Sequence, residues 1–236
     1  MATEAMPELM SKAAHRYQAL HGVAPPGDFL RGFSFYAPHE PPDPAKLSFR
    51  RLRGLGAPRV AGHPCIRQGL IPKGGMVLDA GCGAGDDSRW LQRNGYGTVT
   101  GIDRDPNVME LGRAFYMDAG QPSPSFVVGD CTDMDFGDGC FHLVYSGSIL
   151  HTLHSPDEAH RYLKECRRVL AAGYPFFGSS LGSESPVEGF TRLQLTKAEL
   201  RDMLEDHFGL AAKLEYRKAQ GPAPAFRAYF LMVPRG

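Results

Sequence analysis

The sequence predicts an α/β fold built on a doubly wound, mostly parallel sheet, and three observations carry that expectation. Short apolar runs alternate with segments of helical spacing from about residue 70 to about residue 180. A glycine-rich turn, Gly81-Cys82-Gly83-Ala84-Gly85, directly follows the first of these runs. Two further apolar runs, at 214–217 and 226–233, close the chain as a terminal pair. Strand, turn and helix repeated in this way bury a parallel sheet between helices and place a ligand at the carboxyl ends of the strands.

Residues 1–70 stand apart from this pattern and are expected to form an N-terminal extension, cap or substrate lid, with 71–236 as the main domain. A loosely spaced helix is expected over 9–20, after which Pro25, Pro26, Pro38, Pro41, Pro42 and Pro44 break regular structure. The aromatic cluster Phe29 to Tyr36 sits among them, too proline-rich to form its own core, and either docks on the domain or covers a ligand. Strands are expected over 76–78, 98–102, 126–128 and 141–145, with a helix opening at Asp87. A helix over 107–119 places Val108, Leu111 and Phe115 on one face and stops at Gly120. Ser155-Pro156-Asp157-Glu158 is a capping box with proline at the first helical position. Behind it Tyr162, Leu163, Cys166 and Val169 keep helical spacing, so Cys166 reads as core. Pro175 opens a fifth strand at Phe176-Phe177, and 178–195 reads as a loop walling the pocket. Thr196-Lys197-Ala198-Glu199 is a second capping box, and its helix stops at Gly209.

The glycine turn selects its ligand by detail. A pyrophosphate-binding turn follows G-x-G-x-x-G/A, but its third slot holds Asp86, and Asp87 follows. Two carboxylates at a helix N-terminus repel a phosphate that would seek the same positive dipole end. Asp79, just before the glycines, suits a ligand bearing an amino group. Asp103, at the tip of the second strand, can accept both ribose hydroxyls of an adenosine-containing ligand. Asp130, after the third strand, can reach an adenine edge.

Composition narrows the partners. Lys and Arg total 26 and Asp and Glu total 26, so no global field favours nucleic acid or an acidic partner. Charge is nevertheless uneven. Lys46, Arg50, Arg51, Arg53, Arg59, Arg67 and Lys73 run without an acid, and four aspartates between 130 and 138 run without a base. These read as two solvated faces or, alternatively, as a basic rim recruiting an anionic substrate. Five cysteines without a Cys-x-x-Cys pair argue against a disulfide framework and a structural zinc. His151, His154 and His160 span a loop and a helix without a placed carboxylate or cysteine, so no metal is expected. The absence of a signal segment or an apolar run of membrane length leads to the expectation of a cytoplasmic protein.

The whole series, in this order and spacing over about residues 70 to 180, resembles class I S-adenosylmethionine-dependent methyltransferases of the subgroup acting on small molecules. The resemblance implies a seven-stranded Rossmann-like sheet whose last strand is antiparallel. It also implies S-adenosyl-L-methionine as cofactor, with S-adenosyl-L-homocysteine as product. By position, Asp79, Gly81, Cys82, Gly83 and Gly85 would lie under the methionine part, and Asp103 with Arg104 by the ribose. Asp130 and Cys131 would lie by the adenine, with Ser146 and His151 facing the methyl group. Two departures are His142, in place of an acid opening the fourth strand, and Ala171-Ala172-Gly173, in place of a Lys-Pro-Gly-Gly turn; both lie away from these contacts.

Methyl transfer from a sulfonium is a one-step displacement, so alignment and desolvation can supply most of the catalysis. A base is needed only if the acceptor carries a proton, and His151 is the candidate, either as that base or as a positioning and packing group. Phe33, Tyr36, His39 and His154 are further candidates for the substrate side. The fourth strand ends in Ser146-Gly147-Ser148, which lacks the boxes used on adenine, glutamine amide or pyrimidine carbon. A small-molecule oxygen, nitrogen or sulfur acceptor is therefore expected. The alternatives are an RNA or protein methyltransferase using the basic 46–73 stretch, and a non-catalytic cofactor-binding module.

Overall fold

The computed structural model describes residues 58–106, 109, 124–185, 192–219 and 225–234, together with Gln18. The expected helix at 9–20, the aromatic cluster and most of 107–119 lie outside the described residues. Seven strands form one sheet in the order β3-β2-β1-β4-β5-β7-β6. These are β1 (Met76–Ala80), β2 (Thr98–Asp103), β3 (Ser125–Val128), β4 (Leu143–Gly147), β5 (Phe176–Ser183), β6 (Ala211–Lys218) and β7 (Ala225–Met232). Strands β1 to β5 pair in parallel, whereas β7 runs antiparallel to both β5 and β6. The chain order reverses between β1 and β4, and this switch point opens the crevice at their carboxyl ends.

Alternation along each strand divides the core between two faces. Leu78, Val144 and Phe176 face α3 (Pro156–Val169) and α4 (Lys197–Phe208), packing on Tyr162, Leu163, Leu200, Leu204 and Phe208. Val77, Val99, Tyr145 and Phe177 face the opposite way, toward Leu91 of α2 (Asp86–Arg93) and Cys65 of the short helix α1 (Pro64–Arg67). Val60 and Cys65, fully buried in this second cluster, make residues 58–70 continuous with the domain core. Among the described residues no helix is long and apolar enough to cross a membrane.

Both capping signals act at helix starts. Thr196 Oγ1 accepts from Glu199 N at 3.2 Å, and Glu199 Oε2 accepts from Thr196 N at 2.8 Å. Ser155 Oγ accepts from Glu158 N at 3.2 Å, but the Glu158 carboxylate accepts from His154 N at 2.7 Å, one residue before the expected donor. Cys166 is buried in the core, as its spacing predicts. Arg168 of α3 clamps the acidic stretch after β3: it donates to Asp138 and Phe136 O at 2.7 Å and to Met134 O at 2.8 Å.

Several strand boundaries differ from expectation, those of β4 and β5 among them. β4 begins two residues late, because Phe141 makes only an isolated bridge to Leu170. β5 continues through Ser183, so the first six residues of the expected 178–195 loop are strand. Gly178, Ser179, Ser180 and Gly182 read locally as loop residues, yet β7 pairs with all eight positions of β5. Small side chains are needed there for packing. A Cβ on Gly178 would stand 2.2 Å from Ser146 O, and one on Gly182 would stand 2.4 Å from Leu195 O.

Candidate functional site

At the carboxyl ends of β1, β2 and β4 lies a cavity of about 270 Å³ whose wall is acidic along one side. Asp79, Asp86, Asp87, Asp103 and Asp130 all line it. Asp79, the fourth residue of β1, is buried and accepts a 2.5 Å hydrogen bond from Ser88 Oγ. The chain then turns back, with Gly81 N and Cys82 N donating to Ile102 O at 2.9 and 3.0 Å. Gly81 holds a φ of 72°, and a Cβ there would meet Ile149 Cδ1 at 2.7 Å. The positive φ favours glycine here, and an added Cβ would also require the end of the Ile149 side chain to shift.

Asp103 ends β2 and fastens this turn. Its Oδ2 accepts from Gly83 N at 2.9 Å and its Oδ1 from Asp105 N at 3.0 Å. Each carboxylate oxygen retains a second lone pair for a ligand hydroxyl. Burial is the leading cause that raises the affinity of Asp79, Asp87 and Asp103 for protons. Repulsion from Asp87 adds to the shift of Asp79. Crowded, desolvated carboxylates of this kind favour a ligand that carries positive charge.

The other expected residues fall into two groups. Cys82, Arg104, Asp130 and Cys131 line the cavity with Gly81 and Gly83. Asp130 Oδ1 is engaged by Thr132 N at 2.8 Å and Thr132 Oγ1 at 2.9 Å, which orients the carboxylate. Gly85 instead forms the N-cap of α2, where a Cβ would strike the Phe126 ring at 2.5 Å. Ser146 is fully buried, accepts from Tyr162 Oη at 2.7 Å and does not reach the cavity; Gly147 and Ser148 line this strand end. His154 is exposed and outside the wall. Phe33, Tyr36 and His39 lie outside the described residues.

His151 lines the cavity, and its tautomer is set by the backbone. Nδ1 accepts from Leu181 N at 3.2 Å, so the single hydrogen of the neutral ring resides on Nε2. Burial, then the cations Arg227, Arg59 and Arg192, push its pKa down to about 3. The ring in this state donates at Nε2 and has no free lone pair with which to take a proton. Its contribution to stability is complete above pH 6.5 and is lost as pH falls from there toward about 3, because the unfolded ring protonates first. The His151 Cε1 proton shift should therefore stay flat between pH 8 and pH 5; a midpoint near 6.5 would contradict the assignment.

The three histidines considered for a metal do not converge, since His160 Nδ1 meets His207 Nε2 at 2.9 Å and His151 is held by Leu181. His63, which carried no signal in the sequence, is buried as the N-cap of α1. Its Nε2 donates to Gly178 O at 2.7 Å while Nδ1 accepts from Cys65 N at 3.2 Å, and burial pushes its pKa down to about 4. His142 accepts from Met76 N at 3.1 Å and stacks edge-on against Tyr174, a strand-opening role far from the cavity. Arg59, Thr132, Ser148, Ile149, Thr152, Leu153 and Glu158 complete the wall without having been singled out for it. Of these Arg59 lay in the basic stretch, Ser148 in the segment ending the fourth strand and Glu158 in a capping box, none of them as a cavity residue. Lys73 of the same stretch is turned to Asn94 O at 2.9 Å.

A parallel sheet extended by the antiparallel strand β7, a glycine turn after β1 and a carboxylate ending β2 define a Rossmann-like architecture. Residues 77–173 match the family described as a methyltransferase domain. Among curated proteins, the 2-heptyl-1-hydroxyquinolin-4(1H)-one methyltransferase of Mycobacteroides abscessus is 28% identical over 110 residues, 47% of each chain. The 2-methyl-6-phytyl-1,4-hydroquinone methyltransferase of Synechocystis is 36% identical over 103 residues, 44% of this chain and 31% of that one. The chain thus spans less than half the length of these relatives. Among solved structures, the 1,6-didemethyltoxoflavin-N1-methyltransferase of Burkholderia thailandensis, with its substrate and S-adenosylhomocysteine bound, superposes with a TM-score of 0.55. It is 22% identical, with 73% of this chain and 75% of that chain covered, a likeness of fold.

Proposed function

We propose that this protein is an S-adenosylmethionine-dependent methyltransferase that moves a methyl group by in-line displacement to an oxygen, nitrogen or sulfur of a small molecule. The observation that carries the reading is Asp103, which ends β2, pins the glycine turn through Gly83 N and faces a cavity rich in carboxylates. That set suits an adenosine ribose on one side and a sulfonium with an ammonium on the other. Bound there, S-adenosylmethionine supplies an electrophilic methyl group. The two methyltransferases similar in sequence act on small ring compounds, and the structural neighbour binds the demethylated product.

The chain's own residues then have distinct tasks. Asp79, Asp86 and Asp87 balance the positive charge of the donor. Asp103 and Asp130 hold the ribose and adenine edges, with Gly81 and Gly83 allowing close approach and Cys82, Arg104 and Cys131 enclosing the ligand. Leu153 and Ile149 exclude water beside the strand end. His151 positions the acceptor by donating from Nε2, and the tautomer supports this role over that of a base.

Calorimetry tests the reading. S-adenosylmethionine and S-adenosylhomocysteine should bind in the micromolar range, and NAD should not; preferential NAD binding would overturn it. Turnover of labelled methyl donor with a panel of small acceptors separates an enzyme from a binding module.

A further inference from the structure

The part of the cavity around Ser148 and His151 carries hydrogen-bond donors. Ser148, directly after β4, has a φ of 77°, a left-handed conformation unusual for a residue with a side chain. Its backbone N–H reaches Ser179 O at 2.9 Å, and Arg227 Nη1 donates to its Oγ at 3.0 Å and to Ser179 Oγ at 3.4 Å. The strained residue is thus fixed from both sides. Because Oγ accepts from a guanidinium, its own hydrogen is directed to Ser179 Oγ, 3.5 Å away, or into the cavity that Ser148 lines.

Arg227 stands opposite Leu181 in the β5–β7 register, and Leu181 N is the group that fixes His151. The two side chains are therefore placed by one strand pair. Half-buried Arg227 has serine hydroxyls as its hydrogen-bond partners, and among the described residues no carboxylate forms an ion pair with it; cavity-lining Arg59 stands close enough to Asp87 to attract its carboxylate. A half-buried cation held only by neutral groups is an incomplete pair. Arg192 adds a further positive charge nearby, anchored to Thr152 O at 2.5 Å.

We infer that this end is an oxyanion subsite, and that the acceptor carries a carboxylate or phosphate group received by Ser148 Oγ, His151 Nε2 and Arg59, with Arg227 supplying charge behind Ser148. Donors directed at an oxyanion lower its nucleophilicity, so the anion is the recognition group and the methyl group goes to another atom of the same molecule. The inference rests on the methyltransferase reading, which it deepens by naming the acceptor's chemical class.

The test uses protein saturated with S-adenosylhomocysteine, whose affinity is measured first. Failure at that step would count against the methyltransferase reading itself. Inorganic phosphate, benzoate and neutral benzamide are then titrated at constant ionic strength set with sodium chloride, following thermal stability. Saturable stabilisation by phosphate or benzoate, but not benzamide, is expected, and which anion acts more strongly tells the two oxyanions apart. Ser148→Ala, which leaves the backbone requirement unchanged, should weaken the anion effect several-fold. Arg227→Gln should weaken it at least tenfold, Arg227→Lys should retain most of it, and all three should bind S-adenosylhomocysteine as wild type does. No anion effect beyond chloride, or an equal effect in Ser148→Ala and Arg227→Gln, would overturn the subsite.

Discussion

Asp103→Ala should weaken S-adenosylhomocysteine binding by about 3 kcal/mol, roughly two orders of magnitude in Kd. Two losses act in the same direction. In the proposed complex the ribose hydroxyls lose a charged acceptor, and Gly83 N and Asp105 N lose the oxygens that now bind them at 2.9 and 3.0 Å. A turn freed at Gly83 must be reordered by the ligand. One effect opposes these, because removing a carboxylate relieves repulsion on Asp79. That relief is the smaller one, since burial and then Asp87 outweigh Asp103 among the influences on Asp79. Asp103→Asn should fall between, as an amide keeps one accepting oxygen. Calorimetry decides, and unchanged affinity in Asp103→Ala would place the ribose elsewhere.

A large effect on stability is expected at Gly178. Gly178→Ala should cost more than about 3 kcal/mol, because overpacking against immovable backbone is among the severest of single changes. The new methyl carbon would stand 2.2 Å from Ser146 O and 2.9 Å from Phe230 Cζ. Ser146 O belongs to the neighbouring parallel strand, so it cannot rotate away as a side chain would. Displacing β5 would also stretch the His63 Nε2 bond to Gly178 O and disturb the strand that carries Ser146 beneath Tyr162. Gly62→Ala is the matched control, as nothing lies within 4 Å of its Cβ position. Urea midpoints of the two variants should diverge sharply, and a Gly178→Ala midpoint near that of Gly62→Ala would show that the strands yield.

Most of the framework is local in origin and was readable for that reason. The β1 apolar run, the turn at Gly81 to Gly85 and the carboxylate ending β2 are contiguous signals, each confined to a few residues. The Thr196–Glu199 box states both halves of its hydrogen bonding within one helical turn. By contrast, β5 contains Gly178, Ser179, Ser180 and Gly182, whose smallness answers to neighbours far along the chain. Ser146 and Ser148 lie two residues apart, yet one is buried beneath Tyr162 and the other lines the cavity.

The amino-acid sequence by itself determined the alternation of strands and helices, the glycine turn and the acids at the first three strand ends. Periodicity, glycine conformation and carboxylate spacing are properties of adjacent residues, so they need no partner to be visible. The tertiary structure alone decided that His151 donates from Nε2, that His63 is a buried neutral tie between α1 and β5, and that Arg227 backs Ser148 at the cavity. Those outcomes depend on which backbone N–H or carbonyl a distant strand presents: Leu181 to His151, Gly178 to His63 and the β5–β7 register to Arg227. Such pairings are set by sheet order and register, which no short stretch of the chain contains.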